Sequence, residues 1–206
     1  MATAKLIHDP YNLIITGVGG QGNVLASRML GNVLTSQGLW VTIGETFGAS
    51  QRGGSVMSHL RVSADGSWSP QIPAGKAHMV LALEPLEALR VLVKYGNPGA
   101  KAIVNDRPIL PVAAIAGKTD YPSTEELEGT LARLTAQRWS IPATERAMEL
   151  GASIFANIIM IGALAATGDL PVSREGFEAE LLRALGPAKV ATNLEAFDLG
   201  AAMVRR

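Results

Sequence analysis

A glycine-rich turn between an apolar run and a helical pattern is the feature that most constrains the fold of this chain. Residues 16–22 read Thr-Gly-Val-Gly-Gly-Gln-Gly, directly after the apolar residues 13–15 and before a helical repeat of apolar residues over 24–34. This pattern is typical of the first unit of a Rossmann-like fold, in which glycines allow the tight turn, the approach of a ligand and close packing of the helix. The helix would direct free N–H groups and its positive dipole end at the turn, which favours an anion. The candidate binding residues of this turn are Gly17, Gly19, Gly20, Gln21 and Gly22. The alternative is that they form a compact turn without a ligand.

A second candidate loop, residues 48–55, follows the predicted second strand, residues 39–43. Arg52 carries a planar, permanently charged fork that suits phosphate or carboxylate, and Gln51 can both donate and accept hydrogen bonds. Gly53 and Gly54 leave backbone N–H groups able to hold an anion. We expect the second strand to lie parallel beside the first, so that both loops meet at the rim where open α/β sheets bind ligands. The alternative is that Arg52 pairs with an acid such as Glu45 and only holds the loop.

Two single residues are further candidates. Glu45 lies near the end of the predicted second strand, where a dinucleotide-binding unit carries the acid that binds the ribose. The pattern then departs from a plain dehydrogenase, because a loop and an alternating strand over 56–62 follow in place of a crossover helix. Asn157 lies in the middle of the most apolar segment and must find hydrogen-bond partners if it is buried. It either bonds a nearby backbone carbonyl or points into the same crevice.

The alternation of short apolar strands with helical patterns predicts an α/β fold: a Rossmann-like, open, twisted, mostly parallel sheet flanked by helices, with a C-terminal helical segment. We predict one domain over 1–206, with the α/β part at about 9–141 and the helical tail at about 142–206. A helix over 153–167 is apolar on nearly every face, which predicts burial in a core or between subunits. Residues 109–115 contain Pro111 and follow Pro108, so we expect an edge strand or an extended segment.

The composition of the chain argues against several classes of function. The 18 basic and 18 acidic residues balance, which argues against nonspecific binding of nucleic acid. The absence of cysteine excludes disulfides, thiolate-bound iron–sulfur clusters and a cysteine nucleophile in this chain, and the three separated histidines give no metal signature. The start lacks the apolar core of a signal peptide, and the apolar stretch over 154–166 is shorter than the roughly 20 residues of a membrane helix, so we expect a cytoplasmic protein. A mean hydropathy of +0.21 predicts apolar surface that a partner covers.

Two groups of residues carry a family resemblance across most of the chain. The glycine turn is followed by Gln-Arg-Gly-Gly at 51–54, with His59 and Arg61 on the next strand. The tail adds Asn157, residues 162–164 and 193–197, and Gly200. Together they resemble the gamma subunit or domain of 2-oxoacid:ferredoxin oxidoreductases. At this length the chain is most similar to the small subunit of the indolepyruvate-type enzymes.

The resemblance implies an enzyme that decarboxylates a 2-oxo acid oxidatively, transfers the acyl group to coenzyme A and passes electrons to ferredoxin. Thiamine diphosphate and the iron–sulfur clusters are then expected in a large partner subunit, while this chain alone binds no cofactor and is inactive. Its rim loops would face the partner's active site or coenzyme A. When the partner is missing, the isolated chain is expected to self-associate, because its apolar tail needs cover. Residues 47–50, Phe-Gly-Ala-Ser, depart from the family pattern, which leaves the substrate open between indolepyruvate and another arylpyruvate. The alternatives are a stand-alone NAD- or FAD-binding oxidoreductase, with Glu45 on the ribose, and a pure assembly subunit with an empty crevice.

Overall fold

A six-stranded sheet with helices on both faces forms the body of the protein. The structure is a computed structural model and describes residues 6–47 and 53–204. The strands are β1 (Tyr11–Val18), β2 (Trp40–Phe47), β3 (Ser55–Ser63), β4 (Met79–Ala82), β5 (Lys101–Asn105) and β6 (Gln137–Ile141). The helices are α1 (Asn23–Ser36), α2 (Pro85–Tyr95), α3 (Val112–Ile115), α4 (Thr124–Leu134), α5 (Ala143–Glu149), α6 (Phe155–Ala166), α7 (Arg174–Leu185) and α8 (Val190–Val204), with a 3-10 turn at Pro187–Lys189.

The strand order is β2-β3-β1-β4-β5-β6, and β1 is central, with every residue buried. β4, β5 and β6 run parallel to β1, and Leu13 is paired with Met79 at the start of this parallel half. The expected α/β class with a mostly parallel sheet and helical flanks is therefore confirmed. The carboxyl ends of β1, β4 and β5 lie along one edge of the sheet, the edge at which the glycine turn begins.

The prediction that the second strand lies beside β1 was wrong. β3 lies between β1 and β2 and is antiparallel to both. His59 of β3 is paired with Ile14 of β1 on one side and with Gly44 of β2 on the other. β1 and β2 therefore run in the same direction without touching. Residues 48–54 connect β2 to β3, and a connection of this length returns the chain antiparallel, because a parallel neighbour needs a crossover of roughly a dozen or more residues.

The helical tail packs into the same core as the sheet. α6 is buried along most of its length, and one hydrophobic cluster contains side chains of β1, α6 and α8. Phe177 of α7 stacks on Phe197 of α8, with 4.7 Å between the ring centroids. The apolar helix is thus covered within the chain. No helix among residues 6–47 and 53–204 is long and apolar enough to cross a membrane.

Two local expectations need correction. Residues 109–115 were expected as an edge strand or extended segment, but Val112–Ile115 forms one helical turn. Pro111 precedes it, and proline suits a helix start since its missing N–H would be unbonded there. Ser123 and Glu126 have the spacing of a capping box in the sequence, and this prediction is confirmed at the start of α4. The sequence pattern predicts that this helix runs to about Gln137, but it ends at Leu134 because Gln137 begins β6.

Candidate functional site

The glycine turn leaves the end of β1 and leads into α1, as the pattern predicts. Gly20 and Gly22 have positive φ angles of 108° and 86°, which favour glycine. Gly22 is the N-cap of α1 and its carbonyl accepts the N–H of Ala26. Among the described residues no side chain caps this end, and no acid lies in the first turn. The first N–H groups of a helix have no partner within the helix. The turn therefore presents unoccupied donors and the positive end of a 14-residue helix dipole.

Gln21 supports the turn from inside. Its Oε1 accepts the N–H of Val18 at 2.7 Å, and its Nε2 donates to the carbonyl of Leu83 at 2.7 Å. A Cβ at Gly17 would lie 2.6 Å from that Oε1, so Gly17 is needed for the approach of the Gln21 side chain. Gln21 was selected as a binding residue, but both ends of its amide tie β1 to the end of β4.

The two glycine-bearing loops meet, as expected, although for a different reason. The N–H of Gly19 donates to the carbonyl of Gly54 at 2.8 Å, and the N–H of Gly53 donates to Gly19 at 3.4 Å. The contact arises because Ser55, the first residue of β3, is paired with Val18 at the end of β1. Gln51 and Arg52, the remaining candidates of the second loop, lie outside the described residues.

Glu45 is not next to the glycine turn. It lies on the edge strand β2 opposite Ser58, and β3 separates it from β1. Its carboxylate contacts the guanidinium of Arg28 on α1, with 3.8 Å between Oε1 and Nε. A ribose-binding acid of a dinucleotide site would need the second strand beside the first, so the sheet order removes the basis for that role.

Asn157 of α6 lies directly against the turn. It is 1% exposed, and its Nδ2 is 2.5 Å from where a Cβ of Gly22 would be. Within the described residues neither Nδ2 nor Oδ1 of Asn157 has a hydrogen-bond partner, and the same holds for Oδ1 of the buried Asn23. Buried amides are normally bonded to protein or ordered water. The corner formed by Gly22, Asn23 and Asn157 therefore has unused hydrogen-bonding capacity.

Two cavities flank this corner and share Ile154. One, of about 390 Å³, lies at the carboxyl ends of β1, β4 and β5 and is lined by Gly20, Gln21, Leu83, Asn105, Arg107, Ile109, Thr144, Ser153, Ile154 and Ala156. The other, of about 360 Å³, is mostly apolar and is lined by Leu25, Ile154, Phe155, Asn157, Ile158, Leu185, Ala188, Lys189, Thr192 and Asn193. Exposed basic side chains of Arg107 and Lys189 thus stand on either side of the turn.

Sequence reasoning missed a pair of buried acids beside the turn. Glu84 is 1% exposed and caps α2, since its carboxylate accepts the N–H of Glu87 at 2.8 Å. Its other oxygen accepts the N–H of Ile109 and the hydroxyl of Tyr121. Burial, followed by the hydrogen bond to Glu84, raises the pKa of Tyr121. In the sequence, the Glu-Pro pair at 84–85 indicates a helix start but not the burial or the other partners of Glu84.

Glu87 holds the end of the second loop at Ser55. Its carboxylate accepts the hydroxyl of Ser55 at 2.5 Å and pairs with Arg90. Ser55 follows Gly54, so Glu87 anchors the loop that contacts the glycine turn. Residues 6–47 and 53–204 contain no group of three or more His, Asp or Glu side chains that could hold a metal ion.

The sequence matches the model of a known family over residues 12–203, and that family is described as pyruvate ferredoxin/flavodoxin oxidoreductase. The chain belongs to this family. The indolepyruvate oxidoreductase subunits IorB of Pyrococcus horikoshii and Thermococcus kodakarensis are 38% and 36% identical, each over 92% of this chain and 94% of the relative. The 2-oxoglutarate synthase subunit KorC of Methanothermobacter marburgensis is 26% identical over the same shares of the two chains.

Solved structures show the same fold. The gamma subunit of a keto/oxoacid ferredoxin oxidoreductase from Geobacter sulfurreducens has a TM-score of 0.66 at 22% identity, covering 95% of this chain and 98% of that one. The 2-oxoglutarate:ferredoxin oxidoreductase of Magnetococcus marinus, solved with 2-oxoglutarate, coenzyme A and succinyl-CoA bound, has a TM-score of 0.72 at 20% identity. There the match covers 96% of this chain and 31% of a longer one.

The resemblance seen in the motifs is thereby confirmed: the chain is a small, gamma-type subunit of a 2-oxoacid oxidoreductase. The alternative of a stand-alone NAD- or FAD-binding oxidoreductase finds no support, since neither the family nor the order of the first strands corresponds to a dinucleotide-binding unit.

Proposed function

We propose that this chain is the small subunit of a thiamine-dependent oxidoreductase that acts on an aryl 2-oxo acid, with indolepyruvate as the first candidate. The observation that carries this substrate class is the higher identity to relatives named for indolepyruvate than to one named for 2-oxoglutarate. In the overall reaction the oxo acid loses carbon dioxide, the acyl group forms a thioester with coenzyme A, and two electrons pass to oxidised ferredoxin with release of one proton.

The chemistry is assigned to a larger partner subunit. This chain has no cysteine, so it supplies no thiolate for an iron–sulfur cluster. Thiamine diphosphate would provide the carbanion chemistry and the clusters the electron path, both in the partner. The contribution of the small subunit is to bind and orient groups at the shared crevice and to exclude water from it.

Coenzyme A is the ligand proposed for the crevice. The free N–H groups at the start of α1 and the exposed Arg107 suit one of its phosphates. The Asn157 amide, unpartnered among the described residues, suits an amide of the pantetheine arm, and the apolar cavity beside it suits the methylene and methyl groups. The coenzyme A present in the Magnetococcus marinus enzyme agrees with this proposal.

The first test is activity with and without the partner. We expect the purified chain to give no indolepyruvate-dependent dye reduction, and the complex with the large thiamine-binding subunit to be active and to prefer indolepyruvate over 2-oxoglutarate in kcat/KM. Full activity of the chain alone would refute the division of labour. A preference for 2-oxoglutarate would refute the substrate class.

The second test addresses coenzyme A in the assembled complex. Asn157→Leu should raise the KM for coenzyme A by about tenfold, the effect of losing about 1.4 kcal/mol of binding. The KM for the oxo acid should not change. Asn32→Leu is the control, because Asn32 lies on α1 away from the turn and bonds Glu180 at 2.8 Å. If both variants leave the KM for coenzyme A unchanged, the crevice contacts only the partner.

A further inference from the structure

A buried arginine lies at the end of the sheet opposite the glycine turn. Arg61 of β3 is 8% exposed and is opposite Asn12, near the start of β1. Its Nε donates to Oδ1 of Asn12 at 3.0 Å, its Nη1 donates to the carbonyl of Ser69 at 3.2 Å, and its guanidinium lies 4.9 Å from the ring centroid of Trp68. These contacts fix the orientation of the guanidinium without neutralising it.

In the described part of the chain, no carboxylate is paired with this charge. Among residues 6–47 and 53–204 no Asp or Glu forms an ion pair with Arg61, and the remaining residues, 1–5, 48–52, 205 and 206, include no Asp or Glu. Removing an ion from water costs several kcal/mol unless a partner offsets it. A nine-tenths buried cation whose hydrogen bonds in the described residues go only to neutral oxygens can take an anion as a further partner.

The surroundings of Arg61 form a cavity of about 370 Å³ that is lined by His8, Asp9, Pro10, Asn12, Arg61, Pro73, Lys76 and His78. Lys76 is exposed at its edge and, in the described part of the chain, forms no ion pair. Asp9 is the one acid in the lining, and its carboxylate accepts the N–H of Ala64 at 2.9 Å. The lining of the cavity therefore contains two cations, Arg61 and Lys76, and one carboxylate, that of Asp9.

His78 adds a neutral donor. Its Nδ1 accepts the N–H of Asn12 at 2.9 Å, so in the neutral ring the proton is on Nε2. Burial, with His8 and Lys76 adding to it and Asp169 opposing, lowers the pKa of His78 to about 4. His8 stacks on it, with 4.1 Å between ring centroids. The nearby Asp169 is already engaged, because it accepts the hydroxyl of Tyr11 at 2.9 Å and pairs with Lys101 at 2.8 Å.

We propose that this cavity binds a small oxyanion, a phosphate or carboxylate group, with the Arg61 fork as its main partner and Lys76 and the Nε2–H of His78 as further donors. Planar guanidinium groups bind both kinds of oxyanion through two parallel hydrogen bonds. The site lies at the other end of the sheet from the glycine turn, separated by six residues of β1, or about 20 Å. The proposal is independent of the function assigned to that turn.

The test is a titration of the full chain with inorganic phosphate and, separately, with acetate, at constant ionic strength and neutral pH. The NMR signals of the His78 imidazole and the Arg61 Nε–H are followed, because phosphate binding at the glycine turn would not move them. We expect saturable shifts. Lys76→Gln should weaken binding by about tenfold and Arg61→Gln should abolish it, since each removes a charged donor.

Two matched variants serve as controls. Arg28→Gln removes an arginine that is 68% exposed on α1, and Arg107→Gln removes the exposed arginine beside the glycine turn. Both should leave the titration unchanged. If only phosphate gives saturable shifts, the site prefers a phosphate group. If acetate gives them as well, the site also accepts a carboxylate. The proposal fails if neither anion gives saturable shifts, or if Lys76→Gln binds as tightly as Arg28→Gln. The Lys76 side chain is exposed and forms no hydrogen bond or ion pair within the described residues, so its loss should leave the fold intact.

Discussion

At the scale of single residues, the contact between Gly22 and Asn157 links the glycine turn to the helical tail. The contact joins the N-cap of α1 to a side chain of α6 that is more than one hundred residues away in the sequence. Gly22 was expected to allow helix and strand to pack, but a Cβ there would meet Ile154 and Asn157 of the α6 region. The residue is therefore needed for helix–helix contact as well as for its positive φ.

Gly22→Ala should destabilise the protein more than Gly20→Ala. Both residues have positive φ, so each substitution costs about 1–2 kcal/mol of backbone strain. At Gly20 no atom of another described residue beyond its chain neighbours lies within 4 Å of the added methyl group. At Gly22 that group would lie 2.5 Å from Nδ2 of Asn157, and overpacking adds about 1–3 kcal/mol. Urea denaturation of the two variants measures the difference.

A double-mutant cycle identifies the cause of that difference. In the background of Asn157→Ala the extra cost of Gly22→Ala should largely disappear, because the clashing amide is gone. An extra cost that persists in this background would show that Asn157 is not the residue that gives Gly22 its importance.

At the scale of elements, α6 and α8 approach each other through two glycines. A Cβ at Gly162 would lie 2.0 Å from the carbonyl oxygen of Phe197, and a Cβ at Gly200 would lie 1.8 Å from that of Ile159. Both distances are to backbone atoms, which cannot move aside without shifting a helix. This close approach lets α6 be buried by the chain itself rather than by a second subunit.

Gly162→Ala should therefore be strongly destabilising, by about 3 kcal/mol or more, since the helices must separate and leave poorly packed space. The matched control is Gly129→Ala on α4, where the added methyl group is 3.9 Å from an Arg133 side-chain nitrogen. That substitution should stabilise the protein by about 0.5–1 kcal/mol, because alanine favours the helix. Thermal denaturation distinguishes the two, and equal effects would contradict the close packing of α6 on α8.

The predictability of the elements follows the range of the interactions that form them. β1, α1 and the capping box of α4 depend on neighbouring residues, and the sequence predicts them correctly. The insertion of β3 between β1 and β2 depends on a pairing of strands that no local pattern reports. For this reason Glu45 was expected beside the glycine turn, although β3 separates its strand from β1.

The candidate site shows the same division. Local glycine spacing predicts the turn. Its contact with Gly53 and Gly54 was expected from a parallel pairing of β1 with β2, but it arises from the antiparallel pairing of β3 with β1. The network of Glu84 with Ile109 and Tyr121 joins segments up to 37 residues apart, so the sequence shows only the helix cap. Asn157 could be selected because an amide in an apolar helix is unusual, but its position beside Gly22 could not be derived from helical spacing.

At the scale of the whole molecule, the exposed apolar side chains near the glycine turn form one surface. We define the apolar rim as Leu25, Ile109, Met148 and Ile154, which are between 37% and 59% exposed and line the cavities on either side of Arg107 and the turn. α6, which was expected to be buried either in a core or between subunits, is buried inside the chain. The apolar rim surrounds the proposed coenzyme A crevice, so we expect a large partner subunit to dock there.

In the absence of that partner, the isolated chain should self-associate through the apolar rim in a concentration-dependent way, because burial of apolar side chains favours association. Light scattering should report more than the 21.6 kDa of one chain. Leu25→Ser combined with Ile154→Ser should weaken the association by at least about tenfold. Val93→Ser is the matched control, since Val93 is 71% exposed on α2 and lines neither cavity. A monomer at all concentrations would contradict self-association, and an equal effect of Val93→Ser would place the contact elsewhere on the surface.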